Sequence, residues 1–384
     1  MKVLLISPYH GGSHQAWAEG YRKHSTHDVE LLTLPSRYWK WRMHGGAVTL
    51  ARRFLHSLSE TPFDCILATS MLDLTTFLAL TRSHTARIPA ALYMHENQLT
   101  YPLPEDGATG PMRRQLGQRD QHYAFINYSS ALAAGRVFFN SHYHQESFLK
   151  ALVPFLKHFP EYREMESIEG LRRKSALLPV GIELPARIRS RDDAPPLVLW
   201  NQRWEYDKNP GEFFQALERA RQAGLEFRLA LCGERFSRRP EAFEKGLGSL
   251  REQVVEQGFV DRKAYRRLLH QASVVISTAH HEFFGVSILE AAGHGAFPIL
   301  PSRLSYPELI PSEFHSECLY KSPQGLDRRL AWALTHPLEA ASLARKLAAA
   351  LERFHWRRVA PRYDEALQAL AGTSGSTAAR RYSC

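Results

Sequence analysis

The stretch Val274-Val-Ile-Ser277-Thr-Ala-His280-His281-Glu282-Phe-Phe-Gly285-Val-Ser-Ile-Leu-Glu290 passes from an apolar run, through a turn at Gly285, into a helical stretch continuing past Ala292. A short, fully apolar strand followed at once by a helix is the repeating unit of a parallel sheet covered on both faces. The pattern recurs along the chain. Strands are expected at Lys2–Ser7, Val29–Leu34, Phe63–Thr69, Ile88–Met94 and Arg136–Asn140, then at Leu177–Val180, Leu197–Trp200, Phe227–Cys232, Val274–Ser277 and Pro298–Leu300. Between the two halves lies Leu184–Pro196, charged, proline-rich and without periodicity, which reads as a linker. The expected fold is α/β, with two doubly wound Rossmann-like domains facing across a cleft. The first spans 1–184 and the second 185–356, a helix at 357–372 crosses back to the first, and the Ser/Ala/Arg-rich segment 373–384 reads as disordered.

Composition agrees. A chain of 384 residues suits two domains, and 44% hydrophobic with 23% charged residues is ordinary for packed cores. A formal net charge of +10 favours an acidic partner, whether nucleotide, nucleic acid or anionic membrane, without choosing among them. Cys65, Cys232, Cys318 and Cys384 show no CxxC spacing, so neither a zinc site nor a disulfide framework is expected. The apolar run Val3–Ile6 is too short for a signal-peptide core, and no stretch approaches the ~18 apolar residues of a membrane span. A cytoplasmic protein without membrane association is the expectation.

In doubly wound sheets ligands bind beyond the carboxyl ends of strands, so the residues just after each strand matter most. After Leu197–Trp200 come Arg203 and Lys208, a planar fork and a point charge placed to converge on a diphosphate. After Val274–Ser277 come Glu282 and Glu290. On one continuous helix they would lie about 12 Å apart, too far for a glycosidase carboxylate pair. That spacing suits an extended ligand, with a sugar near Glu282, a ribose near Glu290, and the diphosphate at the helix N-terminus around Gly285, Val286 and Ser287. The bland alternative is a capped amphipathic helix with two surface acids. The loop Gly11-Gly12-Ser13 follows the first strand, and its backbone can approach a nucleotide sugar closely; a plain tight turn is the alternative.

His95 ends the strand Ile88–Met94 and is placed to bond a transferred sugar or an acceptor, unless it is a structural histidine. The run Arg37-Tyr38-Trp39-Lys40-Trp41-Arg42 interleaves cations with aromatics, as in proteins that stack the bases of single-stranded RNA, or else is local packing. Arg262, Lys263, Arg266 and Arg267, like Arg172-Arg173-Lys174, read as solvated faces. The histidines at 142, 144, 280 and 281 gather no cysteine or carboxylate cluster, so no metal is expected.

Glu282-x7-Glu290, with Arg203 and Lys208 upstream, resembles the donor-site signature of retaining GT-B glycosyltransferases. The strings Leu34–Arg42, His95–Pro102, Arg203–Pro210 and His281–Gly285 are similar to those of the tRNA-queuosine alpha-mannosyltransferases, over Ser7 to about Pro311. The resemblance implies a GT-B fold, GDP-mannose as donor, and an acceptor queuosine in the anticodon loop of aspartate tRNA. It implies that Arg203 and Lys208 hold the diphosphate, Glu290 the ribose and Glu282 the sugar, with no metal or other cofactor. It implies that His95 meets the sugar or acceptor, and that Trp39, Trp41, Arg42 and Asn97 serve the acceptor. A GT-B enzyme with a lipid or small-molecule acceptor is one rival. A non-catalytic RNA-binding protein on a transferase scaffold is the other.

Overall fold

A computed structural model describes the backbone of residues 1–101, 111–188, 194–233 and 241–380, and their side chains except at 111–120, 242 and 373–380. Contacts divide the chain into two units, Met1–Gly181 with Trp356–Cys384, and Ile182–His355. The first division falls at 181/182, within the chain ahead of the expected linker, whose residues 189–193 lie outside the described ones.

Unit 1 carries six strands: β1 (Lys2–His10), β2 (Asp28–Pro35), β3 (Cys65–Thr69), β4 (Ala90–Met94), β5 (Arg136–Phe139) and β6 (Ser175–Leu177). They lie in the order β2-β1-β3-β4-β5-β6, every neighbouring pair parallel. Leu4, Ile6, Ile66, Ala68, Leu92 and Met94 face a core closed by Phe54 and Phe77. The alternate residues Leu5, Leu67 and Tyr93 are also fully buried. Strands covered on both faces cannot alternate with polar residues, which is why these runs are apolar throughout.

Unit 2 carries β7 (Leu197–Trp200), β8 (Arg228–Cys232), β9 (Val254–Gly258), β10 (Val274–Ile276), β11 (Phe297–Pro301) and β12 (Leu319–Tyr320), in the order β12-β11-β10-β7-β8-β9. Neighbouring pairs are again parallel. Read from β9, this is the Rossmann order, and the strand order reverses between β7 and β10. The sequence reading lacked β9 and β12. Both are edge strands; Gln257 of β9 is exposed, and β12 has only two residues.

The last helix, Trp356–Arg380, belongs to unit 1. Tyr363 Oη accepts from Trp17 Nε1 at 3.0 Å and donates to Pro179 O at 3.0 Å. Asp364 accepts from Tyr21, Ser25 and Thr26. The helix continues to Arg380 and does not stop at 372; residues 381–384 lie outside the described ones. Among the described residues no helix is long and apolar enough to cross a membrane.

Candidate donor and acceptor sites

The strand reversal in unit 2 brings together the loops after β7 and β10. Their backbones are sewn to each other: His280 N donates to Asp207 O at 2.8 Å, and Thr278 Oγ1 donates to Lys208 O at 2.8 Å and Asn209 O at 2.9 Å. Lys208 is buried, and its Nζ donates to His281 O at 2.7 Å and to Glu282 Oε2 at 3.3 Å, with Asp207 Oδ2 at 3.2 Å. The sequence marks it as a point charge placed to meet a diphosphate. In the folded unit it is first the link between the two loops, because a lysine this enclosed must meet counter-charge.

Arg203 is more open, its side chain 41% exposed, and pairs with Glu205 Oε2 at 3.2 Å. Burial raises the Glu205 carboxyl above its ordinary range against the opposing pull of Arg203. Glu282 Oε1 accepts from the N–H groups of Phe283 and Phe284. Burial pushes its carboxyl up, but Lys208 and those N–H groups outweigh it and hold it below the ordinary value, so it stays ionised.

Gly285 caps the helix Val286–Gly293 at φ 83°, in the left-handed region that favours glycine. A Cβ there would crowd Tyr306. Among the described residues, no side chain caps this helix, so its first N–H groups are open to an anion. Glu282 therefore lies before the helix and Glu290 within it; the two do not share one helix.

Glu290 Oε2 accepts from Tyr265 Oη at 3.0 Å, and Asn201 Nδ2 donates to Tyr265 Oη at 3.1 Å and to Ser287 O at 2.7 Å. Burial raises the Glu290 carboxyl above its ordinary value, while Tyr265, Arg262 and Arg266 oppose the rise. Tyr265, Asn201 and Glu205 were missed by the sequence reading. Tyr265 stands 25 positions from its partner, on a basic helix read as a solvated face, and periodicity gives no sign of the pairing.

In unit 1, Gly11 and Gly12 open the helix Gly12–His24 directly after β1. Gly12, at φ 54°, and Ser13 are exposed, and a Cβ on Gly11 would strike Ser36. His95 follows β4 and sits among rings: His14 at 4.4 Å, Trp17 at 4.6 Å and Tyr93 at 4.7 Å. Burial, then His14 and His144, lower it well below its ordinary value, so it is neutral. Its Nε2 is buried with no hydrogen-bond partner among the described residues. His14, whose Nε2 lies 3.4 Å from Glu96 Oε2, completes this cluster; the sequence gives it no evident role.

The expected acceptor residues separate. Asn97 is fully buried, and its Oδ1 accepts from Leu99 N, Thr100 N and Thr100 Oγ1, which makes it a turn-former. Arg42 Nε donates to Pro35 O at 3.1 Å, tying its helix to β2. Trp39 is half-buried against Tyr123 and Met43. Trp41 is 62% exposed. Among the described residues no group of three or more His, Cys, Asp or Glu could hold a metal ion.

Two Rossmann-like units, one with paired cations and carboxylates around an open helix N-terminus at its switch point, define a GT-B glycosyltransferase. Solved structures agree on the fold. Anabaena HepE in complex with UDP and glucose superposes with a TM-score of 0.66 at 15% identity, covering 96% of this chain and 100% of that one. Sucrose-phosphate synthase from Thermosynechococcus elongatus gives 0.67 at 15% identity, covering 97% and 100%. Residues 2–182 match the family described as tRNA-queuosine alpha-mannosyltransferase N-terminal, and residues 185–351 match Glycosyl transferases group 1. The tRNA-queuosine alpha-mannosyltransferase of Drosophila melanogaster is 34% identical over 340 residues, 85% of each chain. The GDP-mannose:cellobiosyl-diphosphopolyprenol alpha-mannosyltransferase of Xanthomonas campestris is 24% identical over 256 residues, 64% of this chain and 61% of that one. The chain belongs to the tRNA-queuosine alpha-mannosyltransferase family.

Proposed function

We propose that the enzyme transfers mannose from GDP-mannose to the queuosine base in the anticodon loop of aspartate tRNA, in the cytoplasm and with retention at the anomeric carbon. The observation that carries this reading is the pairing of Lys208 with Glu282 just ahead of the uncapped N-terminus of the helix Val286–Gly293, in a chain of this family.

Each group has a task that its surroundings suit. The N–H groups near Gly285, Val286 and Ser287 and the fork of Arg203 take the diphosphate as its charge grows. Lys208 adds charge there and keeps Glu282 ionised and aimed at the sugar. Glu290, held by Tyr265, takes the ribose hydroxyls. On unit 1, neutral His95 offers its unpartnered Nε2 to a sugar or acceptor hydroxyl, and Gly11, Gly12 and Ser13 offer close backbone approach to the nucleotide sugar. Trp41 faces the acceptor, while Trp39, Arg42 and Asn97 serve it by holding their elements in place.

With the leaving charge balanced by Arg203, Lys208 and the helix, turnover persists in excess EDTA. The test incubates labelled GDP-mannose with tRNA carrying queuosine and with the same tRNA carrying guanosine. Label must appear only on the first, and a comparable yield from UDP-glucose or on the unmodified tRNA would refute the reading.

A further inference from the structure

β12 forms one edge of the unit 2 sheet, and the helix Pro323–Thr335 begins soon after it. Ser322 caps this helix, its Oγ accepting from Gly325 N at 3.2 Å. Lys321 precedes the cap, and Arg328 and Arg329 follow inside the helix, Arg329 one turn beyond Gly325 on the same face. The loop after β11 joins this corner, because Ser302 N donates to Tyr320 O at 2.7 Å. Lys321, Arg328 and Arg329, with Ser302, Ser322 and His315, line a cavity of about 420 Å³, within the roughly 300–1,000 Å³ typical of small-ligand sites. None of Arg203, Lys208, Glu282 or Glu290 lines it.

The lining holds three cations and no acid. The acids beside them in the chain are engaged elsewhere. Asp327 accepts two bonds from Arg219, each at 2.8 Å, and Glu317 Oε2 accepts from Ser316 Oγ at 2.6 Å. Among the described residues Lys321 and Arg328 make no hydrogen bond or ion pair. Arg329 donates from Nη1 to Gly325 O at 3.3 Å and from Nη2 to Ser316 O at 2.6 Å, which fixes its guanidinium against the wall. Each of these outer nitrogens has a second N–H to give. Burial, then Arg328, lowers this guanidinium below its ordinary value, against a weaker pull from Cys318 and Glu317. Three like charges on one cavity leave positive charge unbalanced, and an anion would relieve it. A fixed guanidinium fork with a second guanidinium and an ammonium suits the oxygens of a phosphate, and the positive end of the helix adds to the attraction.

We infer that this corner of unit 2 is a second anion site, which takes a phosphate group between Lys321, Arg328 and Arg329, apart from the proposed diphosphate site. The inference is independent of which sugar and acceptor the enzyme uses. The phosphate group comes as a free ion or from the backbone of a bound RNA, and the same oxygens meet the same side chains in both cases.

For the test, the full chain is saturated with GDP to block the donor site, and inorganic phosphate is titrated by calorimetry at constant ionic strength. Wild type is compared with the double variant Lys321→Gln/Arg328→Gln and with Arg329→Gln. Lys321 and Arg328 are exposed, so the double variant should fold and melt normally, which keeps the test decisive should Arg329→Gln unfold. Wild type should bind a single phosphate, and both variants should bind it roughly tenfold or more weakly. Phosphate should raise the melting temperature of wild type above its value in chloride, and should not do so for the double variant. Aspartate tRNA then separates the two sources. If the RNA backbone supplies the group, the double variant binds tRNA more weakly, with a slope of log K on log salt lowered by about one phosphate. If a free phosphate supplies it, tRNA binding is unchanged while phosphate uptake is lost; either result supports the site. No saturable phosphate binding by the GDP-blocked wild type, or folded variants that bind phosphate as wild type does, would overturn the proposal. Mannosyl transfer is scored separately, so failure of the proposed reaction leaves the anion site standing.

Discussion

Lys208 Nζ lies 3.3 Å from Glu282 Oε2, so a residue after β7 and a residue after β10, 74 positions apart in the chain, form one buried ion pair at the switch point of unit 2. The same amine touches Asp207 and His281 O. This makes Lys208 a brace between the two loops, whatever it adds to the proposed diphosphate site, and separates it from the more open Arg203.

Lys208→Ala should therefore lower both stability and activity. It strands two carboxylates in a buried site, at about 3–5 kcal/mol. Arg203→Ala, whose side chain is 41% exposed, should leave stability within about 1 kcal/mol and weaken GDP binding. Urea unfolding and GDP calorimetry on both variants decide it; equal stability losses would show that the brace does not exist.

Glu290→Gln should reduce GDP affinity roughly 10- to 100-fold, since charge-assisted bonds to a ribose are worth about 1.5–3 kcal/mol. Tyr265→Phe removes only the supporting hydroxyl and should cost donor affinity less than Glu290→Gln does. Calorimetry giving the reverse order would make Tyr265 the ribose ligand.

Gly181→Ala should destabilise unit 1 by about 1–3 kcal/mol, because its Cβ would enter the ring of Trp356 at the start of the last helix. In a Trp356→Leu background the cost should fall below about 1 kcal/mol. Thermal melts of the double-mutant cycle report this, and strict additivity would show that the two residues do not meet.

Burial, aided by Lys208 and opposed by Glu282 and Asp207, presses His281 down to about 4. The unfolded chain takes up a proton near pH 6.5, whereas the folded one does so only near 4. The stability this contributes is complete above pH 6.5 and is lost as pH falls towards 4, at about 1.4 kcal/mol per unit. Denaturant unfolding at pH 7 and pH 5 should show a steeper loss for wild type than for His281→Asn. Parallel losses would place the protonation elsewhere.

Much of this was legible in the chain. A strand buried on both faces must be apolar along its length, so nine of the strands and the α/β class could be read from runs such as Val274–Ser277, whereas the expected strand Leu177–Val180 meets the exposed β6 only at Leu177. Strand ends were therefore known, and Arg203, Lys208, Glu282 and Glu290 followed from residue type and position. Edge strands β9 and β12 escaped because one is partly polar and the other too short. Only the tertiary structure decided which of those side chains meet. The pairing of Lys208 with Glu282, of Tyr265 with Glu290 and of His44 with His122 joins residues 74, 25 and 78 positions apart. Local periodicity carries no record of such contacts, because they arise where separate loops and helices are brought together by packing. Burial likewise turned Asn97 into a turn-former, since a polar group without water must bond to the backbone nearest it, while Arg42 ties its helix to β2 at the surface.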